Sequence, residues 1–308
     1  MPSQGTAARH HFDRVRAALA ARPVAPDLTW RIDELGGNEA HVRGGRSIFR
    51  LTAPGGRDSV IFKVYETESM AAARFTALKA LHARTGHVVR PRFLMPRFNI
   101  FAMDDAGDTT VLDRMGDGAE RAGVAACAEW LGSYAQDVAE GDRAFDPSII
   151  VTRTEQLTQN MATGHGTDAE AAVRLVVATF DRHAGRTIPH YQVFGDFKPS
   201  NLCVTAGGRL IAVDYLPAGI MPLERDLAFM LHWVRQKRWR AAIAKGGIPD
   251  PVDEARDRET ALERLDRPID ENLLDAFLYL FLVRMWVRAI RLGSEPKLRD
   301  TAKHRLRL

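Results

Sequence analysis

Apolar side chains fall at helical spacing along residues 6–21 (AARHHFDRVRAALAAR), which predicts a short amphipathic helix. After the prolines at 23 and 26 the period shortens. Residues 28–32 (LTWRI) alternate as a strand does, and residues 47–52 (SIFRLT) and Ser59–Tyr65 (SVIFKVY) follow, joined by glycine-rich connections at 36–45 and 54–56. Residues 69–84 return to helical spacing through Phe75, Leu78 and Leu81. Residues 92–103 (RFLMPRFNIFAM) read as two strand-like pieces broken at Pro96, and Asp104-Asp105-Ala106-Gly107 as the loop that leaves them. From Gly118 the spacing is helical again, with Val124, Cys127, Trp130, Leu131 and Tyr134 on one face. Residues 141–168, interrupted by Gly141, Pro147, Gly164 and Gly166, predict an irregular connection with one short periodic piece. Residues 169–183 form a further helix that Gly185 can stop, and residues 227–238 and 273–290 predict two more. The last of these gathers Phe277, Leu280, Phe281, Val283 and Trp286, the mark of a packed helix.

Residues 194–214 (FGDFKPSNLCVTAGGRLIAVD) hold the densest chemistry. Gly195 and Pro199 exclude a helix or a central strand there, so Asp196 and Asn201 sit on a loop. Leu202-Cys203-Val204 and Leu210-Ile211-Ala212-Val213 flank Gly207-Gly208 as the two arms of a β-hairpin. Closing it would carry Asn201, at the start of one arm, toward Asp214, at the end of the other. Oxygen ligands converging beside the Asp196 carboxylate suit Mg²⁺, which takes oxygen ligands and keeps several waters. Without such a role the segment would be a hairpin with solvated polar ends.

The order GDxxxxN, apolar hairpin, Asp resembles the catalytic core of the protein-kinase-like fold. It is most similar to the aminoglycoside phosphotransferase and choline kinase-like family, whose loop reads HGDxxxxN. The resemblance implies an α+β fold of two lobes: a small antiparallel N-lobe sheet and a mostly helical C-lobe. With it come boundaries at 1–27 for an N-terminal helical extension, 28–103 for the N-lobe and 104–308 for the C-lobe. It implies that Asp196 orients or deprotonates the acceptor hydroxyl, that Lys198 touches the transferred phosphate, and that Asn201 and Asp214 hold Mg²⁺ on the phosphates of ATP. Lys63, in Val60-Ile61-Phe62-Lys63-Val64, matches the strand lysine that contacts the α and β phosphates, whereas a lone strand lysine ordinarily faces solvent. Gly44 and Gly45, with Gly36 and Gly37, would let backbone N–H groups approach those phosphates, although hairpin turns use the same residues. Met103, Asp104, Asp105 and Ala106 fall where backbone groups of the family's hinge hold adenine; a plain strand-end turn is the competing reading.

Three positions depart from the family pattern. Arg74 stands where the lysine-pairing glutamate aligns, leaving Glu68 as the preferred partner for Lys63 and Glu66 as the other candidate. Phe194 replaces the histidine two residues before the catalytic Asp, which predicts altered support for the loop, with His190 an ordinary residue. The glycine hinge of the protein-kinase DFG is absent from Asp214-Tyr215-Leu216, and Asp226 of Arg225-Asp226-Leu227-Ala228 comes only twelve residues after Asp214. That short link favours a small acceptor over a protein one. By the resemblance Asp226 braces the catalytic loop; read locally it caps a helix.

Composition changes this picture little. The 308 residues are 45 % hydrophobic and 27 % charged, as in an ordinary globular chain long enough for two lobes. Lys and Arg outnumber Asp and Glu by 16 to 8 over residues 1–103, trail by 9 to 17 over 104–214, and lead by 18 to 14 thereafter. No nucleic-acid motif accompanies the basic first third, so no nucleic-acid partner is expected. Lys237-Arg238-Trp239-Arg240 is a basic-aromatic cluster that reads as a solvated helix end, with contact to an anionic substrate the alternative, and Asp253, Glu254 and Asp275 are candidates to line an acceptor site. Two cysteines, Cys127 and Cys203, in no metal or disulfide spacing suit a reducing, cytoplasmic setting. Residues 6–21 lack a signal-peptide core, and residues 273–290 are too short and too charged to span a bilayer. The expected activity is transfer of the γ-phosphate of ATP to a hydroxyl of a small molecule; a Ser/Thr protein kinase-like enzyme and a nucleotide-binding pseudokinase are the alternatives. Oligomeric state leaves no mark in the pattern.

Overall fold

The computed structural model describes residues 4–21, 30–35, 46–56, 58–115, 120–159, 161–293 and 295–308. The chain forms two compact units, Met1–Asp108 with Cys203–Pro217, and Thr109–Leu202 with Ala218–Leu308. The hairpin that ends at Asp214 therefore belongs with the first unit, although about half of the second precedes it in the chain.

The first unit is built on a five-stranded antiparallel sheet of order β1-β2-β3-β5-β4: β1 Arg31–Leu35, β2 Arg46–Thr52, β3 Ser59–Tyr65, β4 Pro91–Met95 and β5 Ile100–Asp104. Side chains of a strand alternate between faces, and here both faces are covered. Val60, Phe62 and Val64 join Phe49, Leu51, Ile100 and Ala102 in a core closed by Val15 and Ala18 of helix α1, Gln4–Ala21. Arg14 of that helix donates to the carbonyls of Tyr65, at 3.0 Å, and Phe98. Ile61, Lys63 and Tyr65 take the opposite face and are also buried. Helix α2, Glu68–Arg84, begins one residue before the predicted start because the Thr67 hydroxyl caps it, accepting from the Met70 N–H. The break at Pro96 is a short 3₁₀ turn, Pro96–Phe98, closed by Asn99 in the left-handed region at φ 53°.

The second unit is mainly helical. Its short helix α3, Val111–Arg114, and long helix α4, Glu120–Asp137, lead into a three-stranded sheet of order β10-β7-β6, made of β6 Ala139–Ala144, β7 Thr187–Gln192 and β10 Ile220–Met221. Helices α5 Ser148–Gln159 and α6 Ala162–Asp181 occupy most of the stretch expected to be irregular. Gly164 and Gly166 lie inside α6 rather than in a loop, against glycine's low helix propensity. The remaining helices are α7 Glu224–Ala244, α8 Pro251–Arg264, α9 Glu271–Leu292 and α10 Pro296–Leu306. Phe277, Phe281 and Trp286 of α9 are all buried, the packed helix expected from their spacing. Among the described residues no helix is long and apolar enough to cross a membrane.

Candidate active site

Strand β3 delivers Lys63 to the middle of the sheet, paired in register with Ile48 on one side and Phe101 on the other. Its residue is 3 % exposed, so the ammonium needs a charged partner, and it finds one in the Asp214 carboxylate of the same unit. Asp214 follows the hairpin of β8, Leu202–Val204, and β9, Leu210–Ala212, which turns at Gly207-Gly208 as predicted, with the Gly208 N–H donating to Thr205 at 2.8 Å. Two backbone bonds fasten β9 to the segment after α2: Ala212 N–H to the His87 carbonyl and Val89 N–H to the Ala212 carbonyl, both 2.9 Å. Asp214 itself sits at φ 62°, a conformation that Asp tolerates better than most residues.

The second unit carries the other polar cluster. Lys198 Nζ donates to Asp196 Oδ2 at 2.8 Å, and Asn201 Nδ2 donates to the Asp196 carbonyl at 2.8 Å and to its Oδ2 at 3.1 Å. Pro199–Asn201 forms a 3₁₀ turn that holds these side chains at short range. Behind them Asp226, fully buried in the first turn of α7, accepts from the backbone N–H groups of Phe194 and, at 3.1 Å, Gly195. Gly195 stands at φ 93°, which a side chain would oppose. Arg225 pairs with the same carboxylate and donates to the Gly195 carbonyl at 3.1 Å. Burial pushes the Asp226 carboxyl up, against the pull of Arg225 and the two N–H groups. Asp226 is not the helix cap that a local reading allows: the N-cap is Leu223, and the carboxylate is turned onto the loop.

Phe194, in the family's histidine position, is fully buried. It meets Trp130 and Tyr134 of α4 edge to face at 5.9 and 6.4 Å between ring centroids, while Phe197 stacks on Trp130 at 5.2 Å. The Tyr134 hydroxyl donates to the Gln192 carbonyl at 2.7 Å, so this aromatic group also ties down the strand that leads into the loop. The link after Asp214 is equally constrained: Ile220 and Met221 pair with Gln192 and Tyr191 of β7.

Other expected residues fall elsewhere. Glu68 and Glu66 are exposed and make no ion pair with Lys63, because α2 begins with Glu68 at its solvent-facing first turn; Asp214 takes the lysine instead. Gly44 and Gly45, with Gly36 and Gly37, lie outside the described residues. Met103 is buried in β5, where Asp104 N–H is already committed to the Arg90 carbonyl at 2.9 Å. The Asp104 carboxylate pairs with Arg90 and Arg92, and that of Asp105 with Arg50 at 2.6 Å and the Ser59 hydroxyl at 2.7 Å. Burial works to raise the Asp105 carboxyl, but Arg50, Ser59 and the Gly107 N–H outweigh it and hold it low. Asp104, Asp105 and Ala106 border a cavity of about 350 Å³ shared with Val88, Arg90 and Ile211 of the same unit. Glu254 and Asp275 line a different cavity in the second unit, where Arg235 meets Glu254 at 3.0 Å and Arg258 meets Asp275 at 2.6 Å; Asp253 is itself 3.7 Å from Arg238. Both cysteines are buried, and burial pushes the Cys203 thiol up to about 11.

One cavity had no counterpart in the sequence. About 260 Å³ opens beside β7 and β10, lined by Arg153 of α5, Arg225 of α7, Arg284 of α9 and His190, among apolar walls. Its arginines come from three helices with no local spacing to announce them.

In the second unit Asn201 turns its amide nitrogen onto Asp196, so its oxygen is directed away from those bonds. In the first unit Asp214 offers a carboxylate. Each is an oxygen donor of the kind a hard cation takes. Among the described residues no three His, Cys, Asp or Glu side chains gather into a metal cluster.

Comparison of the sequence with protein-family models and with curated proteins finds no match. Solved structures match along nearly the whole chain. Choline kinase LicA from Streptococcus pneumoniae is 13 % identical with a TM-score of 0.65, covering 96 % of this chain and 97 % of its own. A choline/ethanolamine kinase family protein from Mesorhizobium loti is 14 % identical with a TM-score of 0.63 over 96 % and 94 %, and a glucosamine kinase 18 % identical with 0.58 over 98 % and 80 %. The protein thus has an α+β protein-kinase-like fold. Within that fold it is similar to structures named as small-molecule kinases and phosphotransferases, an aminoglycoside-3'-phosphotransferase among them.

Proposed function

We propose that this chain is a phosphotransferase that moves the γ-phosphate of ATP to a hydroxyl of a small molecule. The observation that carries the reading is Lys63: a lysine buried in mid-strand, held to the carboxylate at the end of the hairpin, is the arrangement a phosphate-binding lysine needs. In the reading, Lys63 neutralises nucleotide phosphates, Asp196 orients the acceptor hydroxyl and takes its proton, and Lys198, already on Asp196, meets the phosphoryl group in flight. Asn201 and Asp214 would hold Mg²⁺, which when bound supplies charge neutralisation at the phosphate oxygens. The Asp226 clamp and the aromatic packing at Phe194 support a preorganised Asp196 loop, and preorganisation supplies most of the rate in such transfers. The short link pinned by Ile220 and Met221 leaves no long segment on which a peptide acceptor would lie, which favours a small one.

A second reading, a nucleotide-binding module without transfer, draws on exposed Glu68, since Lys63 then lacks its usual glutamate. One experiment separates the two. ATP consumption is measured against a panel of hydroxyl-bearing metabolites and antibiotics, with Asp196→Ala as control. Turnover by the wild type that Asp196→Ala lowers by ~10²-fold or more, at largely unchanged nucleotide affinity, is expected. ATP binding with no turnover on any acceptor selects the second reading, and full turnover by Asp196→Ala removes that residue from the chemistry.

A further inference from the structure

We infer that the acceptor carries an oxyanion group, a carboxylate or a phosphate, received by the cavity lined by Arg153, Arg225 and Arg284; only the word acceptor rests on the phosphotransferase reading. The three guanidinium groups are not equivalent. Arg225 is committed to Asp226 and to the Gly195 carbonyl, so one lining residue of the cavity is bonded to the residue before Asp196. Neither Arg153 nor Arg284 has a carboxylate at ion-pair distance among the described residues. The acid on the lining, Asp146, is exposed and accepts from the Ser148 N–H at 2.9 Å. Arg284 does lie over the Phe281 ring at 5.7 Å, a contact that supplies no hydrogen-bond acceptor for its N–H groups.

Around the neighbouring cavity Arg235 and Arg258 each face a carboxylate, at 3.0 and 2.6 Å. A half-buried arginine beside two others, without an acid, is unfavourable in the empty protein and favourable once an anion arrives. Burial, then the charges of Arg225 and Arg153, push the Arg284 guanidinium down to about 10. Arginine's planar fork matches carboxylate and phosphate oxygens in pairs. Ile150, Met221, Phe277 and Leu280 supply an apolar part of the wall beside Asp146 and His190, so the ligand has an apolar portion as well as a charge. A volume of about 260 Å³ is at the small end for ligand cavities and fits a metabolite. Choline, glucosamine and aminoglycosides, the compounds in the names of the similar structures, are cations at neutral pH, and Arg153 and Arg284 would repel them.

The test is a binding measurement that needs no turnover. The full chain without nucleotide is titrated by calorimetry at constant ionic strength with 3-phenyllactate, glycerol 3-phosphate and choline. One or both anions are expected to bind, and choline to give no heat. Arg284→Gln should weaken the anion by about tenfold or more, the weight of a charge-assisted hydrogen bond. Arg153→Gln, at an exposed position whose replacement leaves the core alone, should weaken it in the same direction. Binding of phenyllactate alone identifies a carboxylate, and of glycerol 3-phosphate alone a phosphate. The inference is overturned if neither anion binds at millimolar concentration, if both variants bind as the wild type does, or if choline binds and Arg284→Gln leaves it unchanged. Anion binding through Arg284 without ATP turnover on any acceptor keeps the site and removes the kinase reading. Phosphorylation of an amino alcohol, indifferent to Arg284→Gln, does the reverse.

Discussion

Replacing Asp226 tests the link from fold to chemistry most directly. Its carboxylate is fully buried, accepts from two backbone N–H groups and pairs with Arg225. Asp226→Ala leaves both N–H groups and a guanidinium, whose side chain is 12 % exposed, without their acceptor. Breaking a buried ion pair from one side costs ~3–5 kcal/mol, and charged hydrogen bonds are worth ~1.5–3 kcal/mol each without being additive. A loss of about 4 kcal/mol is expected, with about half of it in Asp226→Asn, which keeps one acceptor oxygen and no longer buries a negative charge. For a unit of this size ~1 kcal/mol moves the melting temperature by ~3 °C, so calorimetry should show a drop of about 12 °C for Ala and about 6 °C for Asn. Arg225→Ala in the Asp226→Ala background should recover part of the loss, because it removes the stranded cation. Hydrogen exchange gives a local reading: the Phe194 and Gly195 amides should lose protection well beyond the rest of the unit. If Asp226→Ala melts within ~2 °C of the wild type and both amides stay protected, the carboxylate does not hold the loop, and the argument that it preorganises Asp196 fails.

Two further outcomes follow from buried charge. Lys63→Met should fill the space of the lysine but remove one ion-pair partner of Asp214, lowering stability in urea unfolding and nucleotide affinity by about tenfold or more; unchanged nucleotide affinity would free Lys63 from phosphate binding. His232, 4 % exposed, has Gln236 against Nε2 and no partner at Nδ1, and burial followed by Arg235 and Arg240 pushes it down to about 3. Its folded value lies below the unfolded one, so the unfolded chain binds the extra proton: the contribution is complete above about pH 6.5 and is lost toward pH 3, reaching ~2 kcal/mol by pH 5. His232→Gln should flatten that part of the stability profile between pH 7 and 5, and an identical profile in the variant would refute the burial argument.

Short-range patterns explain what could be read before the fold was known. The hairpin with its Gly207-Gly208 turn, strand β3 around Lys63 and helix α9 all follow from periods of two and 3.6 that a dozen residues can express. The loop containing Asp196, Lys198 and Asn201 was legible for the same reason: its polar contacts join residues two and five apart. What escaped depends on distant segments. Whether residues 148–168 become helix is decided by packing against other helices, since glycines within them argue the other way. Glu68 was a reasonable partner for Lys63 by position, yet the carboxylate that reaches it comes from 151 residues along the chain. The cavity arginines belong to three helices, and nothing in one helix announces the others.

The departures at Phe194 and at Arg74 are of different physical kinds. At Phe194 the loop keeps every polar restraint: the backbone N–H groups of Phe194 and Gly195 go to Asp226, and Asn201 holds the Asp196 carbonyl. The side chain at 194 only has to fill the space behind, and a phenyl ring among Trp130, Tyr134 and Phe197 does so without a hydrogen bond of its own. Nothing polar is lost by giving up an imidazole there. Near Lys63 the change reaches the charges themselves. A buried ammonium must have an anion, and with no acid from α2 it takes Asp214, the residue proposed to hold the metal. The two tasks are compatible on one carboxylate, which has about four acceptor sites over two oxygens, and Lys63 occupies Oδ1. Nucleotide phosphates arriving with their cation would then bring Lys63 a second anion and Asp214 a second cation. Both charges are compensated before and after, so the pair can serve as the resting form of a phosphate site without a glutamate from α2.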